Sequence, residues 1–187
     1  LRRIEENRLL SSTNTFLALI DVQEKLTATM YNSAELVENV VRLVKGLQAL
    51  EVPIFFTEQN PRGLGPTITP LLGVLGFKNP ITKLSFSCCG EQAFLHSLPG
   101  LERQHALVCG IECHVCVYQT VADLASMGYK VQVVADCVSS RTIENKGIGL
   151  ERCREMGASI TSVETVLFEL LKKAEGPAFK KILDLVK

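Results

Sequence analysis

The chain has 187 residues, 47% of them hydrophobic and 21% charged, a length that fits one domain and buries roughly 70% of the unfolded surface on folding. Its 20 Lys plus Arg balance 20 Asp plus Glu, so no broad basic field exists to hold nucleic acid or an anionic membrane, and a small-molecule substrate fits better. The seven cysteines are odd in number and irregularly spaced, which is no disulfide framework and points to a reducing intracellular compartment.

No apolar run approaches the ~20 residues of a membrane span. Residues 1–13 read as an N-terminal extension. Its first eight residues lack the apolar core of a secretory signal, and Glu5 and Glu6 argue against a mitochondrial presequence. The cytoplasm is therefore expected, with an organelle left open because the chain does not begin with Met.

Short β-rich runs then alternate with longer segments of helical period, the pattern of a parallel sheet with crossover helices. Strands are expected at 15–21, 53–58, 81–84, 105–111, 130–136 and 158–162, and helices at 33–50, 90–96, 113–127, 143–156 and 163–173. Between them, 59–80 carries Pro61, Gly63, Gly65, Pro66, Pro70, Gly73 and Gly76 without clear periodicity, and reads as a rim or lid beside a pocket. The tail 174–187 holds Phe179, Ile182, Leu183, Leu185 and Val186 in an amphipathic pattern, a last helix packed on the body or on a partner subunit. The expected architecture is a single α/β domain over 1–187: a Rossmann-like three-layer sandwich whose six-stranded, mostly parallel sheet runs 3-2-1-4-5-6 with helices on both faces.

In such sheets ligands bind outside the carboxyl ends of the strands, so the polar residues that close strands are the candidates. Asp21 closes the first, Lys83 lies in the third, and the fourth leads to Cys116. Cys116 is expected in the first turn of a helix, where the macrodipole and unpaired N–H groups favour a thiolate. Each residue also has a plain structural reading: Asp21 as a backbone cap, Lys83 reaching solvent, Cys116 as an apolar filler. Asp136 is expected to end the fifth strand, and Ser139, Ser140 and Arg141 to serve turn and cap chemistry. Cys88 and Cys89 are the thiols expected to compete with Cys116 for labelling, and Cys109, Cys137 and Cys153 to react slowly as core residues.

The segments Ile20-Asp21-Val22-Gln23, Lys83-Leu84-Ser85-Phe86-Ser87 and Val108-Cys109-Gly110-Ile111-Glu112-Cys113-His114-Val115-Cys116 together resemble the isochorismatase-like cysteine hydrolase superfamily. The runs from Val52 to Thr67 and from Val133 to Arg141 resemble its eukaryotic isochorismatase-domain-containing proteins, and the likeness covers about residues 14–170. The resemblance implies a catalytic triad of Asp21, Lys83 and Cys116. It also implies a cis peptide between Ile111 and Glu112, with the Glu112 and Cys116 backbone N–H groups as an oxyanion hole, and a homo-oligomer, a dimer or larger. Gln23, Leu26, Phe86 and Cys113 are pocket-lining candidates. Nicotinamidase relatives carry an Asp-x-His metal pattern where this chain has Glu58-Gln59-Asn60-Pro61, and His96, His105 and His114 are scattered; no metal and no cofactor are expected. The reading is metal-independent hydrolysis of a small amide or carbamoyl compound through a thioester.

Two other classes compete. Cys113-His114-Val115-Cys116 satisfies Cys-x-x-Cys at a helix start, the format of a thiol redox protein, although it follows three strands rather than one. A catalytically silent binding or scaffold protein on the same fold is the other, and a pocket sealed by Leu26, Phe86 or the 59–80 stretch would favour it.

Overall fold

Strand β1 (Thr15–Ile20) is buried along its whole length and feeds two cores: Leu17 and Leu19 enter one, Phe16, Ala18 and Ile20 the other. Apolar side chains at both phases of a period-two element are what a central parallel strand requires. Strand β4 (His105–Ile111) repeats the pattern, with Leu107, Cys109 and Ile111 on the first side and Ala106 and Val108 on the second. The computed structural model describes residues 9–76, 79–98, 100 and 102–187; the opening run 1–8, read above for targeting signals, lies outside them.

With β2 (Ile54–Gln59), β3 (Ile81–Lys83), β5 (Lys130–Ser139) and β6 (Ser159–Thr161), the strands form one sheet in the order β3-β2-β1-β4-β5-β6. Every pairing is parallel. The order in which strands are added reverses between β1 and β4, so their carboxyl ends open onto the switch point where α/β sheets hold ligands. A short helix α1 (Glu24–Thr27) and the long α2 (Ser33–Ala49) follow β1, and α3 (Pro61–Leu64) and α4 (Thr69–Leu75) follow β2. Next come a 3-10 turn (Cys88–Gly90), α5 (Gln92–Ser97), a π-helical turn (Cys113–Val117), α6 (Tyr118–Ser126), α7 (Ile143–Glu155), α8 (Val163–Leu171) and α9 (Pro177–Val186). Leu43, Leu47, Leu71, Val166 and Ile182 carry α2, α4, α8 and α9 onto one face, and Phe94, Val121, Leu124 and Cys153 carry α5, α6 and α7 onto the other. The amphipathic tail is thus a helix seated on the body.

Three expectations need correction. The 59–80 stretch is not a lid: β2 runs on to Gln59, and Ile68, Leu71 and Leu75 form a helical stripe buried in the first core. Pro70 in the first turn and Gly76 at the C-cap hid that stripe from a composition reading, although both positions suit those residues. The single helix expected at 113–127 is split, because its opening turn is π-helical. Gly149 of α7 packs so closely there that a Cβ would lie 2.6 Å from the Cys113 carbonyl carbon.

Asp136, finally, does not end β5. The β4–β5 register jumps from Val108–Val133 to Gly110–Val138, and the extra residues form a bulge with Asp136 among them. Its carboxylate accepts from Val163 N at 3.0 Å, at the start of α8. Among the described residues no helix is long and apolar enough to cross a membrane.

Gly110 fixes how closely β4 approaches β1 below the switch point. Its φ is +115°, and a Cβ there would stand 2.0 Å from the Ile20 carbonyl oxygen, one residue before Asp21. Gly110→Ala is therefore expected to lower stability by about 3 kcal/mol or more. Urea denaturation measures it; an unchanged midpoint would contradict this packing.

Candidate active site

Asp21 leaves β1 in the left-handed region, φ 51°, a conformation that costs most residues about 1–2 kcal/mol and Asp less. The turn directs a fully buried carboxylate toward the neighbouring strand ends. Asp21 Oδ1 accepts from Thr57 Oγ1 at 2.7 Å, and Oδ2 lies 2.6 Å from Lys83 Nζ. The sequence alone allowed Lys83 to reach solvent; instead its side chain is 0% exposed, and Nζ donates to Gln59 Oε1 (2.6 Å), Phe86 O (3.0 Å) and Ser85 O (3.1 Å).

Cys116 comes from the π-helical turn after β4. The Glu112 carbonyl accepts from both Val115 N and Val117 N, and the longer of these spans widens the turn, a form frequent at functional sites. The Cys116 thiol feels the charges of both the Asp21 carboxylate and the Lys83 ammonium. Its carbonyl accepts from Thr120 Oγ1, which in turn accepts from Cys88 N. The acid, the ammonium and the thiol thus gather in one cluster, and Cys116 is the most exposed residue of the three, at 6% against 0% for Asp21 and 1% for Lys83.

The electrostatics differ from the sequence expectation. Burial pushes the Cys116 thiol up to about 12, with the Asp21 charge acting in the same direction and Lys83 against it. Desolvation outweighs the helix-start field that was expected to yield a thiolate. Burial also raises Asp21 above the usual aspartate range, opposed chiefly by the Lys83 charge and also by the hydrogen bond from Thr57. The resting pair is accordingly a thiol beside a carboxylate with heightened proton affinity.

The pocket-lining candidates fare differently. Gln23 is clamped to backbone: its amide donates to Gly65 O and Gln59 O and accepts from Gln59 N at 2.6, 3.1 and 2.7 Å. It staples the end of β1 to the end of β2 and is a structural brace. Cys113 is fully buried in the second core, with Cys153 and Lys146 acting on its thiol. Leu26 packs against the first core, and Phe86 gives its carbonyl to Lys83 while the side chain stays exposed.

Glu112 is buried and held in a fork by Arg141, Nη2–Oε1 3.0 Å and Nε–Oε2 3.1 Å, so Arg141 braces the turn that presents Cys116 rather than merely capping. The peptide joining Ile111 to Glu112 is cis. Ser139 Oγ donates to Tyr31 O, and Ser140 Oγ contacts His114 Nδ1 at 2.9 Å. Sequence reasoning missed Thr57 and Gln59 as partners of Asp21 and Lys83. Their signal was available: two polar residues at spacing two, closing a buried strand, share one face.

A family model described as the isochorismatase domain matches residues 15–165. The chain belongs to the isochorismatase family. Zebrafish isochorismatase domain-containing protein 2 is 40% identical over 179 residues, covering 95% of this chain and 89% of that protein. A Caenorhabditis elegans structure described as MAR1 ribonuclease superposes with a TM-score of 0.89 at 33% identity, covering 95% of this chain and 92% of its own. The Escherichia coli YcaC gene product, described as an octameric hydrolase of unknown specificity, has the same fold at 17% identity (TM-score 0.89, covering 95% of this chain and 90% of that one).

All seven cysteines are buried, including Cys88 and Cys89, which were expected to be reactive. Burial raises Cys88 and Cys153 to about 11 and Cys89 and Cys113 to about 12. Unfolded thiols release their protons near ~8.5, so above that pH the native state holds more protons than the unfolded one and stability falls as pH rises. The melting temperature is expected to decline steadily above about pH 9. Scanning calorimetry checks this, and a flat profile through pH ~10.5 would contradict the burial of these thiols.

Proposed function

We propose that this isochorismatase-family chain is a metal-independent cysteine hydrolase that cleaves a small amide or carbamoyl compound through a thioester, with Asp21, Lys83 and Cys116 as its catalytic residues. The observation that carries the reading is a Cys116 thiol in the field of a buried carboxylate that is itself paired with a buried ammonium.

In this reading the Cys116 S–H proton passes to Asp21 as sulfur attacks the carbonyl carbon. The tetrahedral oxyanion is met by the Glu112 and Cys116 backbone N–H groups, donors of a kind typically worth ~3 kcal/mol each. The C–N bond breaks as Asp21 returns the proton to the leaving amine. Water then attacks the thioester while Asp21 takes its proton; the acid leaves, and the proton restores the thiol. The Lys83 ammonium offsets the negative charge that moves between sulfur and carboxylate. A raised Asp21 and a raised Cys116 suit such a transfer, because the carboxylate is a stronger base than an exposed one and the thiol gives up its proton only when the carbonyl arrives.

Glu58, at the position compared with the metal motif of nicotinamidases, accepts from Thr67 N and Oγ1, which supports a metal-free mechanism. The redox alternative loses support because Cys113 is fully buried, and the charges acting on its thiol (Cys153, Lys146) differ from those acting on Cys116 (Asp21, Lys83). The exposed Phe86 and the helices α3 and α4 do not favour a sealed, silent pocket. Confinement of the charged groups favours a small substrate over an RNA strand, the class named for the nematode neighbour. A homo-oligomer is part of the proposal, in line with the octameric bacterial neighbour.

Screening small amides and carbamoyl compounds, with a single-stranded RNA as a further arm, tests the reading. Cys116→Ala is expected to lower turnover at least a thousandfold, and persistent turnover would reject covalent catalysis. Because Asp21 must be ionised to accept a proton and its pKa is raised, kcat/KM should fall with decreasing pH at a midpoint above the usual aspartate range of ~3.9. A midpoint at or below that value would contradict the role given to Asp21.

A further inference from the structure

Lys83 Nζ has three protons, and three uncharged oxygens accept from it: Gln59 Oε1, Ser85 O and Phe86 O. Ser85 and Phe86 belong to Lys83's own loop. Gln59 alone reaches it by a side chain from another strand, and at 2.6 Å its contact is the shortest of the three hydrogen bonds. The rest of Gln59 is fixed as well. Its Nε2 donates to Leu84 O at 2.8 Å, while its backbone N–H and C=O are both held by the Gln23 amide. A side chain braced at both ends presents one neutral oxygen to a buried ammonium.

We propose that Gln59 is a positioning residue for the reaction: its uncharged oxygen holds Lys83 against Asp21 and, being uncharged, leaves the Lys83 charge undivided for Asp21 and Cys116. The inference rests on the hydrolase reading above and adds a residue that the triad does not include. The ionisable groups that interact with Lys83 are Asp21 from β1, Cys116 from the π-helical turn, Cys88 from the 3-10 turn and, more weakly, Glu91 at the start of α5. A carboxylate in place of Gln59 would add a second anion to this set and oppose ionisation of the Cys116 sulfur.

The test compares Gln59→Glu with Gln59→Met by the rate of iodoacetamide alkylation of Cys116 at pH 8, read by peptide mass spectrometry. Both variants lose the bond to Leu84 O, so their difference reports the oxygen that faces Lys83. Gln59→Glu is expected to react at least tenfold more slowly than Gln59→Met, with melting temperatures within a few degrees of each other; equal rates overturn the proposal. If Gln59→Glu does not fold, Gln59→Met against wild type decides: at least a threefold fall is expected, and an unchanged rate overturns it. Lys83→Met separates the two levels. A Cys116 rate unaffected by Lys83→Met counts against the hydrolase reading itself, whereas a changed rate in Lys83→Met with no effect at Gln59 sinks only the role of Gln59.

Discussion

The organising constraint in this molecule is a carboxylate and an ammonium, Asp21 and Lys83, held 2.6 Å apart with both side chains fully buried. Removing two ions from water costs several kcal/mol each, and their attraction offsets this only when the remaining hydrogen-bonding capacity is filled. Thr57 serves Asp21 Oδ1, and Gln59 with the carbonyls of Ser85 and Phe86 takes up the three protons of Lys83, which leaves Asp21 Oδ2 held by charge alone. An apolar pair would stabilise the fold at least as well, so the pair makes most sense as equipment for the thiol beside it.

The fold is arranged to make that meeting possible. The parallel sheet reverses its winding between β1 and β4, so Asp21 and the Cys116 turn leave adjacent strands at the same edge. Gly110 allows the two strands to approach, Gly149 lets α7 press on the turn, and the Arg141–Glu112 fork holds the turn from the far side. Gln23 and Glu58 tie the segment after β2 back onto β1 and β2, which keeps Gln59 and Thr57 in place. Local conformations that cost free energy, a left-handed Asp21 and a π-helical turn, occur where the functional groups gather, as is common at such sites.

Much of this was legible in the residues. Alternation of apolar runs gave the six strands and their parallel pairing, because a buried parallel strand must be apolar at both phases. Polar residues at strand ends pointed to Asp21 and Lys83, and a place at the helix start after the fourth strand pointed to Cys116, while the family resemblance joined the three as a triad. What was hidden depended on tertiary context. The helix from Thr69 to Leu75 was obscured by Pro70 and Gly73, and the bulge that moves Asp136 into β5 follows from the β4 register rather than from local propensity. The thiol's protonation was misjudged because helix position is a local property and desolvation is not. Gln23 looked like a pocket wall in the sequence; only the spatial neighbours of its amide reveal a brace.

The central claim is that Asp21 and Cys116 share a proton within one buried cluster, and the titration of the sulfur tests it most directly. Thiolate absorbance followed against pH, with Cys116→Ser as the blank, should place wild-type Cys116 near the raised value of about 12. In Asp21→Asn the neighbouring negative charge and the carboxylate acceptor are both gone while Lys83 remains, so the midpoint should fall by at least a unit even as turnover is lost. A midpoint that stays where it was, or rises, would show that the carboxylate and the sulfur do not act on each other, and the account would fail.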